Sequence, residues 1–232
     1  RKVLTWLDEG RIDGLRIDHP DGLSDPAAYF RRLQARHAAQ QVARDEPVRA
    51  LYVAVEKILA EHERIPADWP VHGGTGYRFA NVVNGLFVDG RREAEMNAAY
   101  ASFIRTLPDF DAILRDSKRL IMATSLASDL QIVTEALHRV AVMDRRTCDF
   151  TRKRLREALT EVAIGHPVYR TYIGEQGVSA VDERHVAWAC ADARRHSTAS
   201  EISAIDFVQE VLMQAPHDAD PARRAAMLAF VR

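Results

Sequence analysis

Cysteine is scarce in this chain of 232 residues: only Cys148 and Cys190 occur, far apart in otherwise helical contexts. That usage matches neither a disulfide framework nor metal-ligand spacing, and it reads as two reduced thiols of a cytoplasmic protein. Charge of one sign is also lacking. Lys and Arg total 32 against 33 Asp and Glu, scattered along the chain for a net charge of -1. No electrostatic footprint for nucleic acid or an anionic membrane surface results. No apolar run approaches the ~20 residues that span a bilayer, and no segment has the basic start, apolar middle and small-residue cleavage site of a secretory signal. Neither nucleic acid nor a membrane is therefore an expected partner. The motifs H-E-x-x-H, G-x-x-x-x-G-K-[ST] and G-x-S-x-G are absent, and sequence support for zinc, nucleotide-phosphate and serine-hydrolase chemistry goes with them. His62, His138, His166, His185, His196 and His217 sit on or beside helical segments with no carboxylate or cysteine at ligand spacing. No metal and no cofactor is expected. The chain has no internal repeat and no low-complexity tract.

What is present is an ordinary globular composition, 47% apolar and 28% charged, sufficient for a sizeable core. The chain opens inside a helix-like pattern (Val3, Leu4, Trp6, Leu7) and closes in another (Met227, Leu228, Phe230, Val231), so flanking chain is expected on both sides. Gly10 stops the first helix. A short β-type run, Ile12 to Ile17, then ends in Asp18. Ser24, Asp25 and Pro26 make a helix start, with a short polar cap and a proline where its missing N–H costs nothing, and that helix runs to about Arg44. Leu51 to Val55 (LYVAV) is a continuous apolar run of strand length, as a parallel sheet covered on both faces requires, and it ends at Glu56. Ile58 to Asp89, rich in Pro and Gly around Trp69, His72 and Tyr77, reads as a long ordered loop. Beyond Arg91 the spacing is helical, continuous from Leu120 to Ala141 and resuming after a break at Thr147 to Asp149; Val168 to Ile173 is a candidate strand between helices.

Two strands that each end in a carboxylate and are joined by a helix are what a β/α barrel supplies, because barrel sites are built at the C-terminal ends of strands. A pair such as Asp18 and Glu56 is also what glycoside chemistry needs: one carboxyl protonates the leaving oxygen and the other attacks the anomeric carbon or activates water. Arg16, two residues before Asp18 and so on the same strand face, would orient and ionise that acid through a charge-assisted hydrogen bond. By pattern alone, however, a cap or surface salt bridge explains these acids more readily than catalysis.

A resemblance changes that weighting. DGLRIDHPDGLSDP (Asp13 to Pro26) resembles the second conserved region of the α-amylase superfamily (glycoside hydrolase family 13), in which a Gly-x-Arg-x-Asp strand presents the nucleophile. LYVAVEKIL (Leu51 to Leu59) resembles its third region, which carries the general acid/base. WPVHGGTGYRFANVVNGLFVD (Trp69 to Asp89) is similar to a stretch peculiar to the maltooligosyltrehalose synthases of that superfamily, and KRLIMATSLASDL, DFTRKRLREAL and HPVYRTYI continue the similarity to about Ser203. The resemblance implies an α/β chain, a partial (β/α)8 TIM barrel of two to three strands with a large, mostly α-helical insertion. Residues 1–90 would be barrel and active-site loop, 91–166 a helical insertion, and 167–232 a return to the barrel near 168–173 followed by helices. It implies Asp18 as nucleophile and Glu56 as acid/base, with Arg16, His19, Asp21, Lys57, Trp69 and Tyr77 binding substrate. For Lys57 a structural role, and for Trp69 and Tyr77 core packing, are alternatives of about equal standing.

The implied activity is intramolecular transglycosylation, an isomerisation of the reducing-end α-1,4 linkage of a maltooligosaccharide to an α,α-1,1 linkage, as in trehalose biosynthesis. A third catalytic Asp would lie outside the chain, which by itself is expected to be inactive. A non-catalytic glucan-binding module and an α-glucan hydrolase are the rival readings. Two residues depart from the family pattern: Gly74 stands in place of a Thr, and Arg78 in place of an Asp.

Overall fold

Gly10, at φ 64, closes the helix α1 (Lys2–Asp8) with the left-handed turn that glycine adopts without steric penalty. The structure, a computed structural model, describes residues 2–106 and 109–231. It divides into two compact units, Arg1–Glu95 and Met96–Arg232.

In the first unit β1 (Gly14–Ile17) leads into α2 (Pro26–Ala43), whose N-cap Asp25 accepts a hydrogen bond from the Ala28 amide. The chain returns as β2 (Tyr52–Val55), paired in parallel with β1 from Gly14↔Tyr52 to Ile17↔Val55. Parallel neighbours require such a crossover connection, and α2 supplies it. The strand alternation is sharp: Leu51, Val53 and Val55 are buried, while Tyr52 on the opposite face is exposed. Gly14 has a steric reason, since a Cβ there would lie 2.9 Å from both the Tyr52 ring and the Tyr52 carbonyl. Gln34 fastens α2 to this layer. Its side-chain amide accepts from the Leu51 N–H at 2.8 Å and donates to the Leu51 and Pro70 carbonyls at 2.9 Å, supplying partners that no strand offers there.

The Ile58–Asp89 segment is not only a loop. It contains β3 (Gly73–Gly74), parallel to the free edge of β2, and α3 (Tyr77–Gly85). Two glycines carry no strand propensity; the β2 edge imposes the pairing, with His72 and Thr75 amides donating to the Val53 and Val55 carbonyls. The three strands run in the order β1-β2-β3. The α/β character read from the sequence is therefore present, as a small parallel sheet in a mostly helical chain.

The second unit is helical: α4 (Glu93–Ile104, shared with the first), α5 (Phe110–Ala123), α6 (Ala127–Ala141), α7 (Arg152–Ile164), α8 (Ala180–Arg195), α9 (Ala199–Gln214) and α10 (Pro221–Val231). Its core is built from Leu137 and Val140 of α6, Leu155 of α7, Val186 and Cys190 of α8, Ile205 and Val208 of α9, and Met227 of α10. Caps fix the helix starts: the Thr151 and Ser179 hydroxyls accept from the third amide of α7 and α8, and Thr198 with Glu201 forms a capping box on α9.

Two expectations for this unit need correction. The periodic run Leu120–Ala141 is broken, with α5 and α6 meeting at a bend of 81°. At the break the Thr124 hydroxyl turns back onto the Leu120 carbonyl at 2.7 Å. Residues 168–173 form no strand; the nearest pairing is a bridge between Gly174 and Gly177. Side chains satisfy this backbone instead, as where buried Asp182 accepts from the Tyr172 amide and His166 Nδ1 meets the Val168 carbonyl. Residues on both sides of position 166 share the one core. Among the described residues no single helix is long and apolar enough to cross a membrane.

Candidate active site

The register of β1 on β2 decides where the two acids stand. Ile17 and Val55 are the last paired residues, and Asp18 and Glu56 are the next residue of each strand. The pairing is continued past them by the Glu56 amide, which donates to the Ile17 carbonyl at 2.8 Å. Parallel neighbours lie about 4.8 Å apart, so the two side chains leave adjacent strands at one level and on the same face. Arg16 Nη1 lies 2.9 Å from Asp18 Oδ1, the ion pair expected from their spacing, and both side chains are well exposed.

The turn after β1 reaches across to the second acid. His19 takes a left-handed backbone conformation (φ 42) ahead of the 3-10 turn Pro20–Gly22, and its amide donates to Glu56 Oε2 at 3.2 Å. Gly22 leaves room for the His19 ring: a Cβ there would come within 2.6 Å of Cδ2. His19 is thus placed beside both acids by backbone geometry.

Asp21 and Lys57 are placed differently. Leu51, Val53, Val55 and Lys57 are all buried, so the alternation of β2 continues past its end and points Lys57 away from Glu56. The Lys57 ammonium lies 2.8 Å from Asp21 Oδ2 and 2.7 Å from Glu63 Oε1, with side-chain exposures of 0, 8 and 6%. Two carboxylates around one buried ammonium offset a desolvation cost that a lone lysine would not survive. The geometry favours Asp21 and Lys57 as a strut beneath the strand ends rather than as groups that touch substrate. Glu63 was not legible as a partner, although a lysine at a core-facing parity position signals that some buried anion must exist.

The two aromatics separate as well. Trp69 is buried against Phe30, with ring centroids 5.1 Å apart, and is a core residue rather than a sugar platform. Tyr77 is 43% exposed at the first position of α3, where a ring can be stacked upon. Thr75 follows Gly74, the partner of Val55, and so stands level with Glu56 at a third strand end; a two-residue glycine strand hid it from sequence reasoning. Arg78 is exposed in the first turn of α3. At Gly74 an added Cβ would meet Val55 O and Ile65 Cδ1 at 3.8 Å, ordinary contacts, so space does not demand the glycine. Among the described residues no cluster of His, Cys, Asp and Glu is arranged to hold a metal ion.

No protein-family model matches the chain. A curated relative from Mycobacterium tuberculosis, named "Putative maltooligosyl trehalose synthase", is 32% identical over 143 residues, 62% of this chain and 17% of the relative. The solved maltooligosyltrehalose synthase of Arthrobacter ramosus superposes with a TM-score of 0.72 at 27% identity, over 100% of this chain and 26% of that one. The solved DSM5389 glycosyltrehalose synthase gives 0.59 at 25% identity, over 96% of this chain and 24% of that one. The chain thus spans between about a sixth and a quarter of the length of these relatives.

Proposed function

Since its curated and solved neighbours are maltooligosyltrehalose synthases, we propose that this chain supplies two catalytic carboxylates to an α-amylase-superfamily enzyme that isomerises the reducing end of a maltooligosaccharide. On this reading residues 1–90 are part of a β/α barrel, residues 91–166 are a helical insertion, and a third acid comes from chain beyond these residues. Asp18 attacks the anomeric carbon of the penultimate glucose while Glu56 protonates the departing O4, leaving a covalent glycosyl-enzyme. The freed terminal glucose turns in place. Glu56, now a base, removes the proton of its anomeric hydroxyl, which attacks to close the α,α-1,1 bond. Two inversions retain configuration. Water must be kept out for the bound glucose to compete as nucleophile, and its enclosure raises its effective concentration over solvent.

The observation that carries this reading is the in-register placement of Asp18 and Glu56 on adjacent parallel strand ends, with the His19 amide bonded to Glu56. Arg16 orients Asp18, and His19 and Tyr77 are the residues best placed to meet the sugar. The test is to incubate the complete polypeptide with maltopentaose, following reducing ends and anomeric proton signals. Loss of reducing ends with a new α,α-1,1 signal supports the isomerase. Release of new reducing ends points to the hydrolase, and an unchanged substrate removes the enzymatic reading altogether.

A further inference from the structure

We propose that Glu63, acting through Lys57 and Asp21, is a positioning residue for Glu56; this rests on Glu56 being the acid/base of the reaction proposed above. Two rungs join the turn after β1 to the segment after β2. One is the His19 amide on Glu56 Oε2, and the other is Asp21 on Lys57. His19 and Asp21 are two residues apart, and Glu56 and Lys57 are consecutive, so movement of the buried rung is transmitted directly to the catalytic one.

A lysine held by one carboxylate keeps four side-chain torsions with which to drift. Glu63 supplies the second hold, and it is itself aimed. Its Oε1 meets Lys57 at 2.7 Å, its Oε2 accepts from the Ala60 amide at 3.1 Å, and its own amide donates to the Ala60 carbonyl at 3.0 Å. Residues 56–68 contain no helix or strand, so regular structure does not explain why a carboxylate is buried there. Its fit is to the ammonium that immediately follows Glu56 in the chain. A buried three-charge unit gives the strand-end turn a defined position from side chains that are themselves closed to solvent.

The test uses Glu63→Gln in the complete enzyme, which keeps shape and hydrogen bonding but removes the charge, read in two ways. Hydrogen exchange of the His19 amide should accelerate about tenfold or more while Val53 stays protected. In steady-state kinetics kcat should fall roughly ten- to a hundredfold with KM within about twofold, the signature of a displaced catalytic group rather than lost binding. Should Glu63→Gln not fold, Asp21→Asn removes the other anion and is read the same way. Unchanged His19 exchange, unchanged kcat, or a raised KM with kcat intact each overturns the proposal. A wild-type enzyme that forms no α,α-1,1 product defeats the reading of Glu56 instead, and the exchange measurement then still decides whether Glu63 holds the rung between His19 and Glu56.

Discussion

The helical unit buries one face of nearly every one of its later helices, whereas the strand-bearing unit leaves α3 with no buried residue and keeps its charged strand ends open. In the first case apolar side chains at three-and-four spacing meet one another, and order follows from burial. In the second, order at the site comes from backbone register, from the Gln34 amide that closes a strand end, and from three buried charges. A core tolerates exchange among shapes of similar volume. A register-built site does not, since a slip of one residue would turn Asp18 or Glu56 to the opposite face.

That contrast predicts that substitutions in the two units damage different quantities. The largest effect belongs to the site. Asp18→Asn in the complete enzyme should lower kcat by at least ~10⁴-fold, and Glu56→Gln by ~10²–10⁴-fold, with unfolding midpoints unchanged because Asp18 is exposed; a parallel loss of stability would break the distinction. Trp69→Ala should cost about 3–5 kcal/mol in denaturant unfolding by leaving a cavity beside Phe30, while Tyr77→Ala should leave stability nearly intact and raise KM. The reverse pattern would make Trp69 the sugar platform. In the helical unit Leu137→Ala, at a fully buried position, should cost about 2–5 kcal/mol without altering the ratio of isomerisation to hydrolysis. Thr198→Ala removes half of the α9 capping box and should cost about 1 kcal/mol.

The smallest effect is a pH dependence. The Arg146 guanidinium and amide beside Asp144 hold its carboxyl down from 3.8 to about 2. A carboxyl with a depressed folded pKa contributes stability above its unfolded pKa, and that contribution disappears as pH falls from 3.8 toward 2. Asp144→Asn should therefore flatten the acid titration of stability in that window and lower stability at neutral pH only slightly, because the Arg146 side of the pair is open to solvent and its attraction is screened.

The positions of α1, α2 and the two strands that end at Asp18 and Glu56, and the helical character beyond Arg91, were legible because period, capping residues and apolar run length are local properties. The pairing of Asp18 with Glu56 was legible only through resemblance, since acids end many strands. What escaped was non-local. β3 is two glycines whose strand state exists because the β2 edge is there to pair with, and the absence of a strand at 168–173 reflects Asp182 taking a backbone amide that a sheet would otherwise use.

The sequence by itself determined which segments alternate with period two or 3.6, where helices begin, and which acids stand at strand ends, because each of these depends on near neighbours along the chain. Only the tertiary structure decided that Lys57 is buried between Asp21 and Glu63, that Trp69 packs on Phe30, and that the His19 amide reaches Glu56. The partners in each lie 6 to 39 residues apart in the chain. Whether a charge is solvated or paired is set by what folding brings beside it, not by its own place in the sequence.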